Sequence, residues 1–105
     1  MNSSKKEILA KIKANVQNVE MDSEVILFGS QARDEERDDS DWDILILTSK
    51  NSDIKHEQKF RHELFNLELE YEVAFSTFVC SKYDWNHKYS VTPFYKNIKK
   101  DGLSI

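Results

Sequence analysis

A run of four apolar residues, Val25 to Phe28, ends abruptly at Gly29. Because no polar residue alternates within it, the run is typical of a short strand that is buried on both faces. A second strand is predicted over residues 42–47, after a strongly polar stretch. Strands of this kind need cover on each face, so the chain must supply helices that pack on a small sheet.

Segments with helical periodicity surround these strands. Ser4 and Glu7 have the spacing of a capping box, and apolar residues then recur every three or four positions, which predicts a helix over residues 5–19. Residues 71–79 are rich in Val, Phe and Thr, which favours a third strand. Four further helices are predicted: a short one from Ser30, one after the turn at residues 51–53, one over residues 82–89, and one from Thr92 and Pro93 to Gly102.

This alternation of helices and strands indicates an α/β domain in which helices cover one small sheet. We expect Cys80 and Trp42 in the core, since Trp42 lies between two acids on its strand and points away from their face. The other aromatic residues expected there are Phe60, Phe65, Phe75, Phe78, Trp85 and Phe94. His56, His62 and His87 form no metal-binding pattern and are expected at the surface.

Composition excludes several classes of protein. The chain has 105 residues, the length of one domain, and no stretch approaches the roughly 20 apolar residues that cross a bilayer. The single cysteine excludes an internal disulfide and a multi-cysteine zinc site. A net charge of −4 and a pI near 5.3 disfavour nonspecific binding to nucleic acid, which depends on Lys and Arg. No secretory segment follows Met1, so a cytoplasmic location is expected.

Two aspartates, Asp41 and Asp43, stand two positions apart at the start of the second strand. Alternate residues of a strand point to the same face, so both carboxylates should converge on one point. Like charges held together are costly unless a cation lies between them, and carboxylate oxygens favour Mg²⁺ or Mn²⁺ over zinc. The alternative is that both are ordinary acids of a loop and a strand end.

Gly29 and Ser30 follow the first strand and begin a short helix. A glycine lets the backbone approach a ligand closely, and the exposed N–H groups at a helix start favour a phosphate. Ser30 could add a hydroxyl hydrogen bond, or it could simply cap the helix. Together with the paired acids, this turn predicts a site for a nucleotide and a metal ion.

Residues 29–33, Gly-Ser-Gln-Ala-Arg, and residues 40–43, Ser-Asp-Trp-Asp, resemble a two-part signature. It is the Gly-Ser-x-Ala-Arg and Ser-Asp-x-Asp pair of the DNA polymerase β-like nucleotidyltransferase superfamily, in particular of its minimal nucleotidyltransferase (MNT) domain. The resemblance implies one nucleotidyltransferase domain over residues 1–105, built as a mixed sheet flanked by helices. It also implies transfer of a nucleoside monophosphate, AMP in particular, from a nucleoside triphosphate to a hydroxyl.

The resemblance assigns roles to individual residues. Gly29 and Ser30 would hold the triphosphate, and Arg33 could contact phosphate or pair with a nearby acid to brace the loop. Asp41 and Asp43 would bind two divalent ions, Mg²⁺ or Mn²⁺, one positioning the triphosphate and the other activating the attacking hydroxyl. The acid-rich residues 34–39 would form a solvated loop or face a basic partner.

Members of the superfamily usually carry a third acid on a neighbouring strand. The predicted third strand has no Asp, so Glu70 and Glu72, at its start, are the candidates for this metal ligand and base. Glu72 is preferred because it directly precedes the apolar residues 73–75. If neither glutamate shares the face of the aspartates, the chain is better interpreted as a binding module than as an enzyme.

Two functions therefore compete. The first is a metal-dependent nucleotidyltransferase whose acceptor could lie on a partner protein. The second is a weakly active or inactive nucleotide- and metal-binding module, such as the antitoxin of a toxin–antitoxin pair. A template-directed polymerase is disfavoured because the chain has no residues left for a second domain. Minimal domains of this family commonly work with a helical protein called HEPN, so that partner or a second copy of the chain is expected beside the site.

Overall fold

The structure is a computed structural model that describes residues 3–37, 40–50 and 53–105. Helices and strands alternate along the chain, as the sequence predicts. In chain order they are α1 (Ser3–Val19), β1 (Glu24–Phe28), α2 (Gly29–Ala32), β2 (Trp42–Thr48), α3 (Ile54–Tyr71), β3 (Phe75–Ser81), α4 (Lys82–His87), α5 (Pro93–Asp101) and β4 (Leu103–Ser104).

The four strands form one mixed sheet in the order β3-β2-β1-β4. Strand β1 runs antiparallel to β2 and to β4, whereas β2 and β3 are parallel. A mixed sheet flanked by helices is the fold class that the sequence indicates, and it is confirmed. Strand β4 was not predicted, because two residues are too few to show a period of two.

The two faces of the sheet carry separate hydrophobic clusters. On β2, the side chains of Trp42, Ile44 and Ile46 are buried in the cluster that also contains residues of α1 and α3. Leu45 and Leu47 point to the opposite face, where they pack with residues of α4 and α5. The wholly apolar character of β2 follows from this cover on both faces.

Several local predictions are confirmed. Thr92 caps α5 through its side chain and Pro93 occupies the first turn, while Gly102 ends the helix. Asp53 caps α3 by accepting a hydrogen bond from the His56 amide at 2.8 Å, although Asn51 and Ser52 of the same predicted turn lie outside the described residues.

Cys80 is a buried core residue, and Trp42 packs in the core with only 4% of its surface exposed. Burial raises the pKa of the Cys80 thiol to about 11, so the thiol stays protonated at neutral pH. Within the described residues, no helix combines the length and apolar character that a membrane crossing requires.

The boundary between α3 and β3 differs from the prediction. Residues 71–79 were expected to form a strand, but α3 continues through Tyr71 and β3 begins only at Phe75. Tyr71 packs against the core at helical spacing from Leu64 and Leu67, so tertiary packing extends the helix beyond what its β-forming residues suggest.

Two side chains of α3 also differ from expectation. Phe65 was expected in the core but is 52% exposed, because Phe60, Leu64 and Leu67 define the buried face and Phe65 lies beside that face. His56 was expected at the surface with the other histidines, but it is partly buried and its Nε2 lies 3.0 Å from Thr48 Oγ1. His62 and His87 are exposed, as expected.

A buried polar cluster holds the end of β2 to the start of β1. The Glu20 carboxylate accepts hydrogen bonds from the hydroxyls of Ser23 at 2.8 Å, Ser49 at 2.7 Å and Thr48. Burial alone would raise the pKa of Glu20, but these three hydroxyls, with His56 nearby, lower it to about 2. The ionised carboxylate is therefore the form that the fold stabilises.

This cluster predicts how stability depends on acid. Glu20 ordinarily titrates near 4.5, so its contribution is fully present above that pH and is lost as the pH falls towards about 2. We expect Glu20→Gln to lower the free energy of unfolding by about 1–3 kcal/mol at pH 7. Urea unfolding from pH 7 to pH 3 should show the two proteins converging at low pH. The exposed Glu24→Gln is the matched control, and an acid-independent loss for Glu20→Gln would contradict the prediction.

Candidate active site

Three strands bring the signature residues to one end of the sheet. The antiparallel register pairs Asp43 of β2 with Phe28, the last residue of β1, and the parallel register pairs Asp43 with Ser76 of β3. Gly29 follows directly after Phe28, so the glycine turn, the aspartate and Ser76 share one corner. The juxtaposition of the two signature halves thus arises from strand pairing.

Gly29 and Asp43 are in direct contact. Gly29 has φ +73°, in the left-handed region, and a Cβ at this position would lie 2.1 Å from Asp43 Oδ2. Neither the backbone conformation nor the space therefore accepts a side chain. Ser30, half-buried, follows in the four-residue helix α2. This corner consequently exposes bare backbone, a hydroxyl and a carboxylate side by side.

The structure also brings Asp41 and Asp43 together. Asp43 is partly buried, and Asp41 just before the strand is exposed. Burial raises the pKa of the Asp43 carboxyl, the negative charge of Asp41 raises it further, and the positive charge of Arg33 opposes both. The hydroxyl of Ser76 donates a hydrogen bond to Asp41 Oδ2 at 3.3 Å. Two acids in this arrangement form an oxygen-rich site that a cation would stabilise.

Glu72 does not lie on the third strand, where the sequence predicts it. It is the exposed, left-handed cap that ends α3, with φ 54°, and it lies outside β3. Glu70 lies within α3 and is exposed, so neither glutamate belongs to the strand that pairs with β2. The residue of β3 level with Asp43 is Ser76, and Ala74 accepts a hydrogen bond from the Trp42 amide at 2.8 Å.

No group of three His, Cys, Asp or Glu side chains suited to a metal ion occurs within residues 3–37, 40–50 and 53–105. The aspartate pair is thus not joined by Glu70 or Glu72 in this structure. Its hydroxyl neighbour, Ser76, could have been found from sequence only by knowing the parallel register, because that register decides which residue of β3 stands beside Asp43.

Arg33 lies close to the corner without being buried. Its Nε pairs with the exposed Glu35 Oε2 at 3.2 Å, and its positive charge opposes the raised pKa of Asp43. The acid-rich stretch is largely exposed, but Asp34 and Glu36 both pair with the buried Lys5 of α1. Asp38 and Asp39 of that stretch lie outside the described residues.

The burial of Lys5 was not predicted, although its position in the sequence indicates it. Lys5 stands three and four positions before Ile8 and Leu9, so it shares the apolar face of α1 and should have been expected to be buried. Gln31, the variable residue of the first signature half, is also buried, and its Nε2 donates to the Ser40 carbonyl at 3.5 Å.

The chain matches a known protein family. The family described as polymerase beta, nucleotidyltransferase matches residues 7–100 of the chain. No curated protein matches the chain. The matched segment contains both signature halves and all of β1, β2 and β3.

The contact between Gly29 and Asp43 predicts a severe effect of one methyl group. We expect Gly29→Ala to lower the free energy of unfolding by about 3 kcal/mol or more, since a left-handed alanine costs about 1–2 kcal/mol before any clash. In an Asp43→Ala background most of the clash disappears, so the same change should cost only about 1–2 kcal/mol. Equal costs in the two backgrounds, measured by urea unfolding, would show that the carboxylate does not lie against Gly29.

The position of Glu72 gives a second expectation. Because a left-handed cap favours glycine, Glu72→Gly should stabilise the fold by about 1 kcal/mol. Glu72→Gln should leave the affinity for Mg²⁺ and a nucleoside triphosphate within about twofold of wild type, because such surface changes away from a site have small effects. A large loss of affinity in Glu72→Gln, measured by calorimetry, would restore Glu72 to the site.

Proposed function

Because the chain belongs to the polymerase beta nucleotidyltransferase family, we propose that it moves a nucleoside monophosphate from a nucleoside triphosphate to a hydroxyl acceptor. AMP is the group proposed, with ATP as its donor and pyrophosphate as the leaving group. The observation that supports this proposal best is the corner where the Asp43 carboxylate lies against the bare backbone of Gly29. Such a corner suits a phosphate chain and a cation together.

The chain's own residues can hold the triphosphate at this corner. The absence of a side chain at Gly29 leaves backbone polar groups accessible, and Ser30 adds a hydroxyl donor. Arg33 contributes a positive charge that already acts on Asp43. Phosphate oxygens beside two aspartates would repel them, so binding at this corner requires a divalent cation between the charges.

The residues fit Mg²⁺ or Mn²⁺. Both ions take oxygen ligands, and Asp41 and Asp43 supply carboxylates while Ser76 supplies a hydroxyl next to Asp41. Such an ion, when bound, neutralises charge on the phosphoryl group that is transferred. The signature implies two ions, and the carboxylate oxygens of Asp41 and Asp43 are the protein ligands that would hold them. Further ligands would come from the triphosphate and the acceptor.

A second candidate function is the nucleotide- and metal-binding module with little turnover, such as an antitoxin. The specific observation in its favour is that β3 presents Ser76, not a carboxylate, level with Asp43. A hydroxyl cannot accept the proton of an attacking acceptor as a carboxylate can. Transfer would then need a base from the acceptor or from a partner protein.

The exposure of the site supports a partner. Asp41 and Ser76 are exposed in this domain, so an acceptor could reach them from the solvent side. We propose a helical protein of the HEPN type, or a second copy of this chain, as the molecule beside the site.

Incubation of the chain with each nucleoside triphosphate, Mg²⁺ and its native partner, followed by mass spectrometry, tests the proposal. We expect a mass increase of one nucleoside monophosphate on the partner, and none with an Asp41→Asn/Asp43→Asn double variant. Binding of the triphosphate without any mass increase would favour the second candidate. Failure of every triphosphate to bind would contradict both.

Asp43 gives a prediction in which binding and stability change in opposite directions. Its burial and its neighbour Asp41 disfavour the ionised form, so Asp43→Asn should raise the melting temperature of the metal-free protein by a few degrees. The same change should weaken binding of Mg²⁺ and ATP by about 100-fold, because loss of a supporting group alone costs 10–100-fold. Calorimetry and thermal unfolding check both, and a melting temperature that falls with binding intact would refute the assignment. Ser104→Ala, in β4, is the control.

A further inference from the structure

Lys5 occupies a position that two physical effects disfavour. It lies in the first turn of α1, where the helix dipole repels a positive charge, and it is buried with only 6% of its surface exposed. Its neighbour Lys6 is exposed and follows the ordinary pattern. A charge held against both effects needs strong compensation from the groups around it.

The compensation comes from one short segment. Lys5 Nζ donates hydrogen bonds to the Gln31 carbonyl at 3.0 Å, to Asp34 Oδ1 at 2.9 Å and to Glu36 Oε1. Burial lowers the pKa of Lys5, but the two carboxylates outweigh burial and raise it. The Gln31 carbonyl belongs to the first signature half, and the two carboxylates lie between the halves. A side chain from α1 therefore holds the start of the segment that joins them.

Asp34 has a backbone conformation that needs support from neighbouring groups. It has φ 53°, in the left-handed region that favours glycine, directly after Arg33. Aspartate tolerates this conformation better than most residues, because its short polar side chain can bond locally. Here the carboxylate instead pairs with Lys5, and the pair fixes the turn that ends the helix carrying Gly29 and Ser30.

The same cluster reaches the second signature half. The Gln31 carbonyl accepts from Lys5, while the Gln31 side chain donates to the Ser40 carbonyl at 3.5 Å, one residue before Asp41. The cluster already holds more acceptors than donors, since Gln31 Oε1 and Glu36 Oε2 are buried without a partner among the described residues. Removal of the Lys5 ammonium would take one donor from the buried Gln31 carbonyl and would leave the partly buried Glu36 carboxylate without its ion pair to Lys5. Both losses would loosen the segment.

From these contacts we propose that Lys5 is a positioning residue, which fixes Gly29–Ser30 relative to Asp41–Asp43 and so sets the affinity for the metal-bound triphosphate. It touches neither the triphosphate nor the reacting atoms, and acts through Gln31, Asp34 and Glu36. The proposal rests on the proposed function for its ligand. The role of Lys5 in holding Gln31, Asp34 and Glu36 rests only on contacts within the chain.

The test compares Lys5→Met with Lys6→Met, which removes the same charge from the next, exposed position of α1. We expect Lys5→Met to weaken binding of Mg²⁺ and a non-hydrolysable ATP analogue by about tenfold or more, because small displacements of positioning groups have effects of this size. Lys6→Met should bind as wild type, and Lys5→Arg should recover part of the loss. Glu20→Gln, destabilised at the opposite end of β2, should keep wild-type affinity well below its melting temperature.

Hydrogen exchange at the amides of residues 29–36 provides a second readout that needs no ligand. Lys5→Met should exchange faster there by about tenfold or more, with little change in α3. A folded Lys5→Met with wild-type affinity and wild-type exchange would overturn the proposal. If Lys5→Met does not fold, Glu36→Gln carries the same two measurements with the same expected directions. If wild type binds no triphosphate, the proposed function fails while the exchange result still decides the role of Lys5.

Discussion

The contact between the Gly29 backbone and the Asp43 carboxylate is the constraint on which the site depends. It requires β1 to end opposite Asp43, and it requires a residue without a side chain immediately after β1. The antiparallel pairing of β1 and β2 meets the first requirement and the left-handed glycine meets the second. A shift of this register by one residue would turn Asp43 to the other face of the sheet and separate its carboxylate from Gly29.

The fold shifts the pKa values of two carboxylates in opposite directions. Glu20, at one end of the sheet, receives three hydroxyl hydrogen bonds that lower its pKa to about 2. Asp43, at the other end, receives a second negative charge from Asp41, and its pKa is raised. The first carboxylate stabilises the structure as it stands. The second keeps its repulsion from Asp41, which a bound cation would relieve, and this is the difference expected between a structural and a ligand-binding acid.

Local patterns predicted much of the fold and, within the candidate site, the residues of the two signature halves. The buried strands, the caps at Asp53 and Thr92, and the inward-facing Trp42 all follow from neighbouring residues in sequence. The third acid could not be placed, because the end of α3 and the register of β3 depend on tertiary packing. The partners of His56 and Lys5 could not be predicted for the same reason, since Glu20 and Glu36 lie 36 and 31 positions away. The burial of Lys5, in contrast, follows from its place on the apolar face of α1.

Paramagnetic broadening by Mn²⁺ tests the central claim most directly. The ion is added to the isotope-labelled chain with a non-hydrolysable ATP analogue, and the loss of each backbone amide signal is measured by NMR. If Gly29 and the aspartate pair form one metal–triphosphate site, broadening will centre on Gly29, Ser30, residues 41–43 and Ser76. Broadening centred instead on the acid-rich loop at residues 34–37, or spread evenly over the surface, would contradict it.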